Sequence, residues 1–355
     1  MDVISRINKL RKLFIEKGID GLMVSQPENR YYLSGFVGSD GYLFITERKI
    51  ILAVDFRYVE EGKNTAPEFE IFQISGQLDW FIQLTEALNI KRLGFEADNV
   101  THSLYRQFIE IIQQSSSSLQ LVPTNGMINS IRSIKEAGEI ESIQKAVNIS
   151  DKALDHIKNV IHPGMTELKA AWEIEKFMRE NGSEAIPFEL IVGAGPNGAL
   201  PHVHPSERPI EEGEPVVIDI GARCDNYTSD LTRTIYIGKL DDTFRKVYDI
   251  VLGAQLSAMS IIKEGMTGEE ADNIARIFIQ ETGYGEYFGH SLGHGVGLAT
   301  HELPRLGMRS IDRLVNGMVF TIEPGIYLPG RGGVRIEDTV ILEEGKVKSL
   351  SHANK

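Results

Sequence analysis

Hydrophobic and polar positions over residues 1–125 change from a helical to a strand-like period, which predicts a small α/β unit. A first helix carries apolar side chains at helical spacing, namely Ile4, Ile7, Leu10 and Phe14. Gly18 ends this helix. Three short apolar runs then predict strands: GLMVS (21–25), GYLFIT (41–46) and KIILAV (49–54). A serine run at 115–118 and the turn residues PTNG at 123–126 mark the end of the unit. We therefore predict an N-terminal α/β domain over residues 1–125 and a second domain over residues 126–355.

The second domain opens with a long amphipathic helix that ends before Pro163 and Gly164, and an internal repeat follows. IHPGMTELKAAWEIEKFMRENG (161–182) aligns without gaps with IKEGMTGEEADNIARIFIQETG (262–283), and eight of the 22 positions are identical. Each copy places a threonine at a helix N-cap, and Thr267 with Glu270 forms a capping box. Such a repeat predicts that two equivalent supersecondary units pack together.

The strands of this domain repeat as well, and they carry acidic residues at matched positions. GEPVVIDIG (213–221) resembles GMVFTIEPG (317–325), so Asp219 and Glu323 occupy equivalent places. Asp230 and Glu337 form a second matched pair further along. A pseudo-twofold axis relating two helix–helix–strand–strand units would bring these four carboxylates together. Either a cation neutralises them, or they are protonated, or they do not converge, because burying four like charges is costly.

Histidines cluster in the same part of the chain. Five of the nine lie between positions 202 and 301: His202, His204, His290, His294 and His301. Spacing of four between His290 and His294 would suit a zinc pair on a helix, but the glycines at 293, 295 and 297 favour a strand or loop. One histidine with four carboxylates is an oxygen-rich ligand set, which favours Mn²⁺ or Co²⁺ and leaves Zn²⁺ open.

Charge and composition restrict the class of protein. The net charge is −13, which argues against a nucleic-acid partner. No stretch reaches 18 uninterrupted apolar residues, so we expect no membrane span, and the N-terminal stretch lacks the apolar core of a signal peptide. The one cysteine, Cys224, excludes an internal disulfide framework. These features predict a soluble, cytoplasmic protein.

Four separated motifs resemble those of the metal-dependent peptidases with the pita-bread fold. They are VVIDIGARCDNYTSDLTRT, GHSLGHGVGLATHE, FTIEPGIY and GGVRIEDTV. This group includes prolidases (Xaa-Pro dipeptidases), aminopeptidase P, methionine aminopeptidases and creatinase. NRYYLSGF (29–36) is similar to the N-terminal domain of prolidases, aminopeptidase P and creatinase. The resemblance implies an α/β N-terminal domain followed by an α+β pita-bread catalytic domain with an internal pseudo-twofold duplication.

The resemblance also implies roles for residues at matching positions. Two divalent metal ions, Mn²⁺ or Co²⁺ in the first place with Zn²⁺ or Fe²⁺ as alternatives, would be held by Asp219, Asp230, His294, Glu323 and Glu337. A metal-bridging hydroxide would attack the scissile carbonyl, and Glu323 would accept the proton of the water and pass it to the leaving nitrogen. His301 and His202 would contact the substrate and the tetrahedral intermediate. His290 would contact the substrate, and Arg335 would orient an acidic ligand. His204 has no role in this scheme.

The implied reaction is hydrolysis of the Xaa-Pro peptide bond in dipeptides or short peptides. Arg305 suits capture of the free carboxylate of a dipeptide, which favours a prolidase, although a surface arginine beside Pro304 is the plain alternative. An aminopeptidase P that accepts longer peptides stays open, and so does a non-catalytic peptide-binding module. Retention of all five ligand positions disfavours both creatinase and the binding module. The N-terminal domain type implies a homodimer.

Overall fold

The computed structural model describes residues 2–76, 78–239 and 241–355, and it divides into two compact units. One unit ends at Arg132, and the other spans Ser133–Lys355. Within the described residues, no helix is both long and apolar enough to cross a membrane.

The first unit is built on one mixed six-stranded sheet. Its strands are β1 (Gly21–Val24), β2 (Tyr42–Thr46), β3 (Ile50–Val54), β4 (Glu70–Gln73), β5 (Arg92–Glu96) and β6 (Gln120–Thr124). Their order is β4-β3-β2-β1-β5-β6, and β1-β2 and β2-β3 are antiparallel while the other pairs are parallel. The helices are α1 (Val3–Lys17), α2 (Pro27–Ser34), α3 (Val59–Thr65), α4 (Asp79–Ala87), α5 (His102–Gln114) and α6 (Met127–Arg132). The end of α1 at Gly18 and the three apolar strands are confirmed.

Aromatic side chains fill much of the core of this unit. Phe81 on α4 and Phe108 on α5 are buried, and their stacked rings lie 4.3 Å apart. Trp80 packs edge-on against Phe81 and is 6% exposed. We expect Phe81→Ala to lower the free energy of unfolding of this unit by about 3–5 kcal/mol, because it removes buried aromatic surface and leaves a cavity.

Urea titration followed by tryptophan fluorescence measures this effect. Trp80 is buried in this unit, whereas the second tryptophan, Trp172, is exposed, so the emission change on unfolding reports mainly on the first unit. Phe56→Ala is the matched control, since Phe56 is 75% exposed. Equal loss of stability in the two variants would show that the Phe81–Phe108 stack is not a main element of the core.

The second unit repeats the same succession of two helices and two long strands. The first copy has α7 (Ala137–Val160), α8 (Glu167–Glu180), β7 (Ile191–Ala194), β8 (Pro215–Ile220), β9 (Arg223–Cys224), β10 (Tyr227–Thr228) and β11 (Leu231–Tyr236). The second copy has α9 (Asp242–Ile261), α10 (Gly268–Glu281), β12 (Gly293–Gly295), β13 (Glu302–Leu306), β14 (Val319–Ile322), β15 (Gly325–Leu328), β16 (Gly332–Arg335), β17 (Asp338–Glu343) and β18 (Lys346–Ser349). The duplication predicted from the sequence is confirmed.

Matching hydrogen bonds begin the second helix of each copy. Thr166 Oγ1 accepts a hydrogen bond from the Lys169 amide at 3.2 Å, and Thr267 Oγ1 accepts one from the Glu270 amide at 3.2 Å. Glu270 completes the predicted capping box by accepting the Thr267 amide at 2.7 Å. The N-caps therefore satisfy backbone donors that a helix start otherwise leaves free.

Each copy has its own antiparallel strand pair and its own apolar core. β8 pairs with β11 and with β7, and β14 pairs with β17 and β12. Between the copies, β11 and β17 lie side by side: the Glu337 amide donates to the Thr232 carbonyl at 3.0 Å, and Thr339 Oγ1 donates to the Asp230 carbonyl at 2.7 Å. The two strand pairs thus meet where the acidic residues lie.

Candidate metal and active site

Four carboxylates from the two copies lie around this junction. Asp219 is near the end of β8, and Glu323 directly follows β14. Asp230 directly precedes β11, and Glu337 directly precedes β17, so each copy contributes one acid from each strand of its pair. All four side chains are largely withdrawn from solvent, and Asp230 and Glu337 are 5% and 1% exposed.

His294 joins these acids because β12 runs very close to its neighbouring strands. A Cβ atom at Gly293 would lie 2.0 Å from the Thr321 carbonyl oxygen, and one at Gly295 would lie 2.1 Å from that of Leu303. Only glycine fits at these positions, which explains the glycine-rich motif. The prediction that this segment is not a helix is confirmed.

The orientation of the His294 ring follows from its backbone contact. Nδ1 lies 3.1 Å from the Gly295 carbonyl and donates to it, which turns Nε2 towards the acids. Burial lowers the pKa of His294, but Glu323 outweighs this and raises it, so that Nε2–H donates to this carboxylate, and the neutral ring would offer the Nε2 lone pair to a metal ion. Nε2 lies 3.2 Å from Glu323 Oε1 and 3.6 Å from Asp230 Oδ2. Thr321 holds both partners, since its Oγ1 accepts the His294 amide at 3.0 Å and donates to Glu323 Oε1 at 2.9 Å.

Electrostatics show that this arrangement suits a cation. Burial and the neighbouring carboxylates raise the pKa of Asp230 and of Glu337 well above their ordinary values. Burial also raises the pKa of Glu323, but the hydrogen bond and charge of His294, with the charge of Arg335, outweigh it and bring that pKa to about 2. Among described side chains, buried Asp219 Oδ1 has no hydrogen-bond partner.

The donor geometry agrees with the electrostatics. Ligand atoms of Asp230, His294 and Glu337 all lie within 4.8 Å of one another. Asp219 Oδ1 offers a further free acceptor, and Glu323 Oε1 lies beside His294. Oxygen donors with one imidazole fit divalent cations such as Mn²⁺, Co²⁺ or Zn²⁺. The residues present therefore fit a metal centre.

Arg335 connects three parts of the site. Its Nη2 donates to Asp219 Oδ2 at 2.6 Å, and its Nε donates to Thr232 Oγ1 at 3.1 Å. Thr232 Oγ1 in turn donates to Glu337 Oε2 at 2.5 Å. Nη1 of Arg335 donates to Tyr327 Oη at 2.9 Å. One buried cation therefore orients an acid from each copy.

Hydrogen bonds at both ring nitrogens fix the tautomer of His290. Tyr327 Oη accepts from Arg335 and donates to His290 Nε2 at 2.9 Å, since the Ser291 carbonyl can only accept and so the proton of the neutral ring is on Nδ1. His290 Nδ1–H then donates to the Ser291 carbonyl at 2.8 Å. Burial lowers the pKa of His290, and the charges of Arg335 and His202 lower it further, so this imidazole is neutral at pH 7.

The other three candidate histidines, His202, His204 and His301, differ in the residues that they contact. The ring of His301 lies 4.1 Å from that of His294, and burial followed by the charge of His294 lowers the pKa of His301. His202 is exposed, and its charge is also among the causes that lower the pKa of His301. His204 points elsewhere, since its Nδ1 forms an exposed ion pair with Glu189 at 2.8 Å.

Arg305 lies beside this cluster on β13. It is directly opposite His294 in the antiparallel register, so both side chains leave the sheet on the same face. Its side chain is exposed and makes no hydrogen bond or ion pair with the residues that the structure describes. Its backbone amide is held by Asp312 Oδ2 at 2.9 Å, which fixes the strand and leaves the guanidinium available.

Sequence reasoning missed three residues of this network: Tyr327, Thr232 and Thr321. Tyr327 and Thr321 lie in the segment TIEPGIY, and Thr232 lies two residues after Asp230, so all three belong to motifs already recognised by their acids. The sequence did contain a signal for Thr232 and Thr321, since each lies two residues from an acid of the site. Alternate residues of a strand share a face, so both threonines could be expected beside those acids.

Comparison with known proteins agrees with this geometry. Residues 141–344 match the model of metallopeptidase family M24, and residues 6–134 match that of the creatinase/prolidase N-terminal domain. The chain is 40% identical to an Xaa-Pro dipeptidase of Pyrococcus furiosus over 98% of this chain and 97% of the relative.

Two solved structures extend the comparison. An Xaa-Pro dipeptidase from Bacillus anthracis superimposes with a TM-score of 0.95 at 41% identity, covering 100% of this chain and 99% of that one. An X-Pro aminopeptidase from Thermotoga maritima superimposes with a TM-score of 0.89 at 38% identity, covering 98% of each chain. The predicted pita-bread architecture is confirmed. With its two family domains in this order and its fold shared over the whole length, the chain belongs to the metallopeptidase family M24 and is a hydrolase.

Proposed function

We propose that this protein hydrolyses the Xaa-Pro peptide bond with two divalent metal ions, most effectively in dipeptides. The observation that carries the proposal is the buried group of four carboxylates and one imidazole, contributed by both copies of the repeat. A chain that only bound peptides would have no reason to bury these mutually repelling acids at a single junction. The 40% identity to a relative described as an Xaa-Pro dipeptidase supports the choice of bond.

Proline explains why such a bond needs a specialised site. An Xaa-Pro bond is a tertiary amide without an N–H, so a peptidase that grips the scissile N–H cannot use it. When bound, the divalent ions would supply a water of lowered pKa and a Lewis acid for the scissile carbonyl. Asp219, Asp230, His294, Glu323 and Glu337 are the residues that we assign to holding them.

The remaining roles belong to side chains around the acids. Glu323 accepts a proton from the attacking water and passes it to the proline nitrogen, and Thr321 and His294 hold its carboxylate in place. His301 and His202 donate hydrogen bonds to the oxygen on which negative charge develops. Neutral His290 contacts the substrate from the Tyr327 side, and Arg335 keeps Asp219 in position.

Arg305 is the basis for preferring dipeptides. Its exposed guanidinium shares a face with His294 and makes no ion pair with described residues, so it is available to bind a free carboxylate just past the proline. An aminopeptidase that accepts longer Xaa-Pro peptides is the second candidate, and the 38% identity to the X-Pro aminopeptidase of Thermotoga maritima favours keeping it.

Purified protein stripped of metal with EDTA and reloaded separately with Mn²⁺, Co²⁺ or Zn²⁺ tests the proposal. We expect no hydrolysis by the stripped protein, and cleavage of Xaa-Pro dipeptides faster than of Xaa-Pro-Yaa tripeptides or Xaa-Ala dipeptides after reloading. Because the ligand set is rich in oxygen, Mn²⁺ or Co²⁺ should restore the most activity. Failure of every metal to bind or to restore cleavage would favour a peptide-binding module.

We further propose a cytoplasmic homodimer. The lone cysteine, Cys224, suits a reducing compartment, and the homodimer follows from the type of N-terminal domain. Light scattering coupled to gel filtration measures the mass directly. A monomer of 39.6 kDa under assay conditions would contradict the dimer without affecting the proposed reaction.

A further inference from the structure

The segment of residues 194–206, here named the His202 loop, brings His202 to the site without holding its side chain. The His202 imidazole makes no hydrogen bond with any described residue. The residue before it nevertheless reaches the acidic cluster, because the Pro201 carbonyl accepts from Arg335 Nη1 at 3.3 Å. The position of this imidazole therefore depends on how the backbone of the loop is anchored.

A single buried carboxylate anchors the loop on both sides of His202. Glu167, the first residue of α8, is 0% exposed. Its Oε1 accepts the Ala194 amide at 2.8 Å, and both of its oxygens accept Asn197 Nδ2 at 3.0 Å. Its Oε2 also accepts the Ser206 amide at 3.1 Å and Ser206 Oγ at 2.6 Å. Glu167 thus joins the start of the loop to its end.

The middle of the loop is attached to the acidic cluster itself. Arg335 Nη1 donates to the Pro201 carbonyl at 3.3 Å, and Pro201 directly precedes His202. Nη2 of the same guanidinium donates to Asp219. This one bond is long. The other contacts of the loop with described residues include its own turn bonds, the bond from the Leu168 amide to the Ser206 carbonyl at 3.0 Å, and the exposed contact of His204 with Glu189. Movement of the loop ends would consequently be transmitted to the histidine.

The repeat shows that the architecture does not require an acid at this position. Gly268 is the counterpart of Glu167 in the second copy, and a Cβ there would lie 1.9 Å from the Arg305 carbonyl oxygen. α10 nevertheless begins with the same threonine cap as α8. Starting the second helix of the unit therefore needs no carboxylate, so the helix start does not account for the buried Glu167.

We propose that Glu167 is a positioning residue that holds the His202 loop in place, so that His202 can contact the substrate. The proposal rests on the proposed function for its effect on catalysis, and on the hydrogen bonds alone for its effect on the loop. Gln at this position would keep the shape of the side chain, but whichever carboxylate oxygen its NH₂ group replaces, a backbone amide, that of Ala194 or that of Ser206, would lose its acceptor.

Two measurements on Glu167→Gln test this. Hydrogen exchange followed by mass spectrometry should show faster exchange in peptides covering residues 194–206 than in the wild type. Glu180→Gln is the matched control, because it makes the same change at an exposed position of the same helix and should leave exchange in the loop unaltered. Steady-state kinetics on an Xaa-Pro dipeptide should show a fall in kcat/KM of about tenfold for Glu167→Gln, with bound metal unchanged.

A double-mutant cycle separates positioning from general destabilisation. In a His202→Ala background, Glu167→Gln should lower kcat/KM by less than twofold, because its effect passes through the missing imidazole. A tenfold fall in both backgrounds, or unchanged exchange in the loop, would overturn the proposal. Ser206→Ala removes one of the bonds to Glu167, together with the acceptor of Asn197 Nδ2 and of the Arg208 amide, and serves if Glu167→Gln does not fold. We expect about a threefold fall that is likewise absent with His202→Ala. If the wild type cleaves no Xaa-Pro peptide, the proposed function fails, and the exchange measurement still decides whether Glu167 anchors the loop.

Discussion

Glu337→Gln is expected to remove metal binding at the acidic junction and to lower kcat/KM for Xaa-Pro dipeptides by on the order of a thousandfold or more. The amide is nearly the same size as the carboxylate and its oxygen still accepts from Thr232 Oγ1, so the local packing is retained. Its negative charge is lost, however, and an amide is a much poorer ligand for a divalent cation.

Elemental analysis after dialysis against Mn²⁺, together with steady-state kinetics, measures both effects. Glu343→Gln is the matched control, because Glu343 lies at the exposed end of the strand that follows Glu337 and, among the described side chains, forms a surface ion pair with Lys348 alone. The control should keep full metal content and activity. Full metal occupancy in Glu337→Gln would remove Glu337 from the ligand set.

The pH dependence of the stability of the metal-free protein gives an independent check, because its direction can be predicted. The pKa of Glu337 is raised in the folded protein, so the stability linked to this group is present at low pH and is lost as the pH rises towards and through the folded pKa. Gln is always neutral and escapes this loss. Metal-free Glu337→Gln should therefore be at least as stable as metal-free wild type at pH 8, and only the wild type should gain stability when Mn²⁺ is added. Thermal unfolding with and without Mn²⁺ measures this.

Arg305→Ala is expected to raise KM for Xaa-Pro dipeptides by about tenfold to a hundredfold, the range that follows from losing a hydrogen bond to a charged group. Tripeptides should show a much smaller rise, because their carboxylate lies one residue further from the proline. Arg305 makes no side-chain hydrogen bond within the described part of the chain, so its removal should leave stability unchanged.

Kinetics with a matched pair of substrates, an Xaa-Pro dipeptide and its glycine-extended tripeptide, make the comparison. Arg309→Ala is the control, since Arg309 is an exposed arginine in the turn that follows β13. Equal increases in KM for the dipeptide and the tripeptide would defeat the role of Arg305 in recognising the carboxylate. The aminopeptidase alternative would then be the better description.

Much of this protein follows from its sequence because the relevant signals are periodic or repeated. Apolar runs predict β1, β2 and β3, since a buried strand needs consecutive apolar residues. The duplicated segments align Asp219 with Glu323 and Asp230 with Glu337, and a pseudo-twofold axis brings equivalent positions together when they lie close to it. The repeat therefore predicts which acids can meet, although the sequence by itself leaves open whether they converge.

Other features depend on contacts between residues far apart in the chain. Glu167 lies 27 to 39 residues from its three loop partners, and Arg335 lies 103 residues from Thr232 and 116 from Asp219. Single polar side chains at such separations leave no periodic pattern, and in the sequence Glu167 looks like an ordinary acid at a helix start. Because Glu167 and Arg335 are buried, their polar atoms must find hydrogen-bond partners, and each side chain therefore connects several segments. The sequence alone determined which acids can meet, and the tertiary structure decided which neutral and basic side chains hold them and the His202 loop in place.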